Sequence, residues 1–378
     1  MDKVSVISCR GYNFSKVRDA LLATLENLGG LHKYVDKGET VFLKVNLLAK
    51  RHPDKAVTTH PVFVAAAADI LREYGCPVII GDSPGGPFNE SALKSVYSGC
   101  QMDMAAQKSG ASLNFNTNAL ELPNPDGMLL KRITVMEAVK KADKVISLCK
   151  FKTHMMETMT GGVKNMFGTV PGALKAEYHL SMPNADVFAN ALIDICLFTM
   201  PCLTLMDAIV GMEGDGPSGG TPRQVGAVIG SASPFALDIA VAKIMNIPPE
   251  AVPTIRQSAG RGLVSEPEYA GEAIKAFIIR DFKMPRTAEI NPFKRWLPSF
   301  LNNAIGNGFQ PKVVFNADKC VGCGICCKNC PPHAIRMVDS RPAADLSKCI
   351  RCFCCHELCP ENAVIIKKPR AERFISRL

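Results

Sequence analysis

The chain has 378 residues, 47% hydrophobic and 21% charged, which excludes a disordered polypeptide and provides for a substantial core across two or more domains. Its formal charge of +9 is not gathered into a basic run interleaved with aromatics, and a single Trp is present, so no nucleic-acid partner is expected. No charged segment followed by a long apolar one opens the chain, and the most hydrophobic stretch, 191–212, is broken by Asp194, Pro201 and Asp207. Neither a secretory signal nor membrane insertion is expected, and the reading is cytoplasmic.

Taken in order, an amphipathic stretch at 14–28 precedes a β-rich run at 41–45, a helix at 61–74 and a buried strand at 77–81. Further short apolar strands are expected at 145–148, 203–206 and 227–229, with a helix at 235–246 and a core helix leading into the strand at 203. Such alternation predicts an α/β domain with a largely parallel sheet over 1–280. Residues 281–311, interrupted by Pro285, Pro292, Pro298 and Pro311, read as a connector in which Trp296, Phe300 and Leu301 are candidates for packing against the C-terminal part. Residues 369–378 form a basic, solvated tail.

Polar residues collect where the predicted strands finish. The first runs into Lys44 and Asn46, and the second into Asp82 and Ser83. The third leads into Lys150, Lys152, Thr153 and His154, and the fourth ends at Asp207, followed by Glu213 and Asp215. Open α/β sheets bind ligands in the crevice outside the carboxyl ends of their strands. Between the third and fourth strands, Gly161, Gly162 and Gly168 permit close backbone approach, while Lys164, Asn165, Lys175 and His179 supply donors. The lysines Lys44, Lys152, Lys164 and Lys175 together suit an anion such as phosphate or carboxylate. Neither a Walker A loop nor a G-x-G-x-x-G fingerprint occurs.

The last eighty residues carry the strongest pattern. Cys320, Cys323, Cys326 and Cys330 follow C-x2-C-x2-C-x3-C, then Pro331; Cys349, Cys352, Cys355 and Cys359 repeat it 29 residues on, then Pro360. This spacing belongs to a bacterial-type two-cluster [4Fe–4S] module, in which the fourth cysteine of each run ligates the other cluster. One cluster is thus assigned to Cys320, Cys323, Cys326 and Cys359, and the other to Cys349, Cys352, Cys355 and Cys330. Zinc gives no reason for a third C-x2-C step or the repeated Cys-Pro, and nothing points to an exported disulfide framework. Counting about −2 for each oxidised cluster with its thiolates brings the holoprotein nearer +5. Cys327 and Cys354 fall outside the scheme, as small buried residues or as tuners of cluster potential. The second loop has Arg351 and Phe353 where the first has Gly322 and Gly324, which predicts different surroundings for the two clusters.

The segments VFLKVNLL, TTHP, GDSPGG, KFKTH, TGGVKNMFG and MDAIVGMEGDGP resemble, in order, the domain-of-unknown-function-362 family over roughly residues 1–260. That resemblance implies that Lys44, Asn46, Asp82, Lys152, His154, Lys164, Asn165, Asp207 and Glu213 belong to one site. The C-terminal part resembles the two-cluster ferredoxins over 312–368, a small α+β domain holding every cluster ligand.

An iron–sulfur oxidoreductase is the leading expectation. A redox protein or low-potential carrier would exchange electrons with two clusters, and an anionic substrate or cofactor would sit among the lysines. His154 or His179 would donate a proton, Asp82, Asp207 or Glu213 would orient or accept one, and Lys152 and Lys164 would neutralise charge. The alternative is a non-catalytic relay, in which the α/β part docks a partner and the ferredoxin part wires it; clusters that only staple the fold come third.

Overall fold

The computed structural model describes residues 2–182, 184–287 and 311–367. Trp296, Phe300, Leu301 and the basic tail lie outside them. The strands are β1 (Lys3–Ser8), β2 (Val41–Lys44), β3 (Val78–Gly81), β4 (Ser112–Leu113), β5 (Ala119–Pro123), β6 (Arg132–Met136), β7 (Lys144–His154), β8 (Thr158–Met159), β9 (Leu203–Glu213), β10 (Thr221–Ser231) and β11 (Glu268–Gly271). The main sheet has the order β11-β1-β10-β9-β7-β2-β3-β4, with β8 folded back on the end of β7. It is largely parallel, as the alternating pattern predicts; β10 alone on that path runs antiparallel to both neighbours, β1 and β9. β5 and β6 form a separate hairpin.

Period-two geometry divides the core between the sheet's two faces. Leu43, Leu148 and Leu205 pack under the helices Phe14–Asn27 and Pro61–Tyr74. Their chain neighbours Cys149 and Met206 pack under the helix Pro234–Ile244. Helix Pro61–Tyr74 obeys its local signals closely: Pro61 opens it, the His60 side chain accepts the Val62 N–H, and Gly75 ends it at a φ of 105°.

The C-terminal unit is built from β12 (Lys312–Phe315) paired with β15 (Val364–Lys367), and β13 (Ile335–Val338) paired with β14 (Arg341–Ala344). Two short helices, Ile325–Lys328 and Cys354–Leu358, continue from the two cysteine loops. Its small core combines Cys326, Cys330, Cys355 and Cys359 with apolar residues such as Val313, Ile335, Phe353, Val364 and Ile366. Among the described residues no helix is long and apolar enough to cross a membrane.

β7 and β9 run for 11 residues each, well past the short strands expected. Their register slips between Lys150 and Lys152, so that Lys150 faces Asp207 while Lys152 faces Met212. This bulge re-aims the end of β7. It separates Lys150, which stays with the core pair, from Lys152 and His154, which reach the crevice.

Candidate functional site

A cavity of about 100 Å³ lies at the carboxyl ends of β2, β3 and β7. Lys44, Asn46, Asp82, Lys152, His154, Lys164, Asn165, Lys175 and His179 all line it. Another part of its wall comes from the C-terminal unit: Asn329, Cys354, Glu357 and Leu358. The crevice of one domain is therefore closed by the cysteine-rich domain.

Each lysine is held in a different way. Lys44 is fully buried and pairs with Asp82 Oδ1 at 2.9 Å, while Asp82 also accepts the Leu47 N–H at 2.7 Å and the Ser83 N–H at 2.8 Å. Lys152 donates to Asn46 Oδ1 at 2.6 Å and to the Val57 carbonyl at 2.7 Å. Asn46 in turn donates to Asn165 Oδ1 at 2.9 Å, and Asn165 to Ser147 Oγ at 2.9 Å. Lys175 donates to the Ser83 carbonyl. Lys164 and Lys175 flank the Phe167 ring, 5.8 and 5.5 Å from its centroid. Burial lowers Lys152 and Lys175 to about 7, with neighbouring lysines adding to the effect.

His154 has a defined tautomer. Its Nδ1 accepts the backbone N–H groups of Met156 and Glu157, both at 3.2 Å, which places the proton of the neutral ring on Nε2. Nε2 lies 3.0 Å from Glu357 Oε1, without the alignment of a hydrogen bond. Burial first, and then the Lys164 charge, lowers His154 to about 4, and burial lowers His179 likewise to about 4. Burial alone would raise Glu357, yet His154 and Lys164 hold it below the usual carboxylate range. Ser83, Thr160 and His179 also line the cavity, and their Oγ, Oγ1 and Nδ1 atoms are buried with no partner among the described residues. Buried polar atoms are rarely left unmatched, so these three are available to an occupant.

The glycine-rich segment is held by Asp238, a residue that no sequence motif singles out. Asp238 accepts the Gly162 N–H at 2.5 Å and the Val163 N–H at 3.3 Å, and burial raises its pKa to about 7. A Cβ on Gly168 would overlap both Asp82 Oδ1 and Lys44 Nζ, so only glycine admits that pair.

Asp207 and Glu213 lie elsewhere. Asp207 accepts from Lys150 at 2.6 Å, Tyr12 at 2.8 Å and the His60 N–H at 2.9 Å, a closed network inside the fold. Glu213 stands 3.7 Å from both Arg223 Nη1 and Lys283 Nζ and accepts the Lys283 N–H. Both sit on β9 beyond or behind the bulge, and neither lines the cavity.

The loop after β9 seats the cysteine-rich domain instead. His356 Nε2 meets the Asp215 carbonyl at 3.0 Å, Ser218 donates to the His356 carbonyl at 3.2 Å, and Leu358 packs on Gly85. Glu357, the partner of His154, belongs to none of the sequence motifs. Its one signal is an acidic residue within the three-residue gap of the second cysteine run.

The eight regular cysteines surround two spaces. Cys320, Cys323, Cys326 and Cys359 line one, and Cys330, Cys349, Cys352 and Cys355 line the other. Among the described residues no three candidate ligands converge as they would on a single ion. Cys330 Sγ accepts the Ala334 N–H and Cys359 Sγ the Ala363 N–H, each at 3.2 Å. Thiols ringing a space, with N–H groups turned to sulfur, fit an iron–sulfur cluster.

Known proteins agree with this division. The 4Fe-4S dicluster domain matches residues 312–360, giving the C-terminal unit an iron–sulfur, electron-transfer character. The thylakoid-associated protein sll1697 of Synechocystis sp. (strain ATCC 27184 / PCC 6803 / Kazusa) is 29% identical over 309 residues, covering 79% of this chain and 92% of that protein. Among solved structures, the lactate racemase apoprotein from Thermoanaerobacterium thermosaccharolyticum is similar at 12% identity and a TM-score of 0.40, over 65% of this chain and 56% of that one. Residues 41–243, more than half of the chain and nearly all of the cavity's α/β wall, match the Domain of unknown function (DUF362), and the chain belongs to that family.

Proposed function

We propose that this chain is a two-cluster iron–sulfur oxidoreductase holding a compact anionic substrate or cofactor in the cavity between its domains. One observation carries the reading: the helix Cys354–Leu358, which lies between cluster-ligand positions, forms a wall of the same cavity as Lys152, Lys164 and Lys175. Clusters held by Cys320, Cys323, Cys326 and Cys359, and by Cys330, Cys349, Cys352 and Cys355, supply electrons singly.

The α/β wall supplies the charge and the protons. Lys164 attracts the anion, and Lys152 and Lys175, poised near pH 7, each hold a proton that an occupant gaining electrons can take. Asn46, itself braced by Asn165, positions Lys152, the Ser83 carbonyl positions Lys175, and Lys44 is spoken for by Asp82. His154 serves as a hydrogen-bond donor from Nε2 rather than as an acid, because two backbone N–H groups already occupy the nitrogen that would accept a second proton. Asp207 and Glu213 have no part in this site. A cytoplasmic protein that meets a membrane through a partner fits both the sequence and the relative named for its thylakoid association.

The test is isothermal titration of the anaerobic holoprotein with inorganic phosphate and with small carboxylates, alongside Lys152→Ala and Lys164→Ala. Binding by the parent that both variants lose, with cluster absorbance unchanged, supports the reading. Unchanged binding in both variants sinks it, and intact anion binding with loss only of electron-carrier docking favours the relay.

A further inference from the structure

The two cysteine loops share a spacing but differ in what shields them. In the first, Gly322 and Gly324 each have a φ of +71°, which glycine adopts freely. At the matching places of the second, Arg351 at +59° and Phe353 at +62° take the same left-handed backbone. Side chains are disfavoured there, so their retention points to a task for them. Phe353 is buried in the cysteine core and lines the space ringed by Cys330, Cys349, Cys352 and Cys355. Arg351 donates to the Cys349 carbonyl at 3.2 Å.

Exposure divides the loops in the same way. Val321 is 67% exposed and Cys323 is exposed, whereas Cys352 through Cys355 are each 8% exposed or less. The second loop runs directly into the helix that walls the cavity, whereas the first run contributes only Asn329, the neighbour of the second site's Cys330.

We propose that the two sites are electrically inequivalent. The Cys320, Cys323, Cys326 and Cys359 site faces solvent and is where a soluble one-electron carrier exchanges with the chain. The Cys330, Cys349, Cys352 and Cys355 site is sealed by Phe353 and exchanges with the occupant of the cavity. Each passage oxidises the carrier by one electron and reduces the occupant by one. This inference rests on the two-cluster reading above.

The holoprotein is challenged anaerobically with the iron chelator bathophenanthroline disulfonate, and iron release is monitored by absorbance. Release is expected in two phases of equal amplitude, the slower by about tenfold or more, since solvent exposure sets cluster accessibility. Phe353→Gly relieves the left-handed backbone and removes the seal, so it should bring the slow phase up to the fast one. As an independent reading on the unaltered protein, a soluble gadolinium chelate should enhance the relaxation of one reduced-cluster EPR signal and spare the other. A single release phase from protein carrying eight irons, or equal enhancement of both signals, overturns the inequivalence. Protein that carries only four irons overturns the two-cluster reading instead.

Discussion

Glu357 of the cysteine-rich domain places Oε1 3.0 Å from Nε2 of His154, at the end of β7 in the α/β sheet, and this contact closes the cavity between the two domains. A carboxylate of the chain itself thus stands among the lysines where an external anion would bind.

Glu357→Gln keeps the shape of that contact and removes its charge. One fewer negative charge among the lysines should tighten phosphate or carboxylate binding by about tenfold, equivalent to about 1.4 kcal/mol. Calorimetric titration of the holoprotein reads this directly, and weaker binding would mean that Glu357 helps to hold the ligand rather than competing with it.

Anion affinity should depend on pH through Lys152 and Lys175. Burial lowers both from 10.5 to about 7, so each is an ammonium below that pH and an amine above it. A ligand that needs one of these charges binds about tenfold less tightly at pH 8 than at pH 6. His154 and His179, lowered to about 4, stay neutral across that range and contribute nothing to the slope. The unliganded fold shows the opposite sign: the unfolded chain keeps these protons between about 7 and 10.5, so this contribution to stability grows as pH rises through that window. Titrations at pH 6, 7 and 8 with Lys152→Gln and Lys175→Gln check the assignment, since the double variant should flatten the profile.

Asp207→Asn should act on stability alone. It leaves the Lys150 ammonium buried without its counter-charge, a loss of about 3–5 kcal/mol. Chemical denaturation should register that loss, while anion affinity of the folded protein stays within about twofold because Asp207 does not line the cavity.

Gly168→Ala combines both effects. The new methyl would overlap Asp82 Oδ1 and Lys44 Nζ, forcing the buried pair apart at a cost of about 1–3 kcal/mol. Anion binding should fall with it, since Lys44 and Asp82 form part of the cavity wall. Normal affinity in a destabilised variant would show that the pair only supports the fold.

Much of this architecture is legible in the sequence because its signals are local. The apolar run at 41–45, Pro61 with Gly75 around an alanine-rich helix, and the doubled cysteine spacing each state their structure within a few residues. Residues at or just past the ends of parallel strands, such as Lys44, Asn46 and Asp82, reach the crevice as the fold class requires. The strand-end pattern misplaces Asp207 because β9 continues for six more residues through a bulge, which no short apolar window reveals. Glu357 and Asp238 escape such reading for another reason: each acts on a segment far away in the chain, His154 and Gly162, and only the packed fold brings them together.

The shared cavity wall would tie ligand binding there to the iron supply. The short helix Cys354–Leu358 is seated in a core that includes four cluster-ligand cysteines, and small metal-held domains owe their folding to the metal. Chain made under iron starvation would therefore keep its sheet and its lysines but have an incomplete chamber. Synthesis of the polypeptide alone would not restore binding; delivery of clusters would.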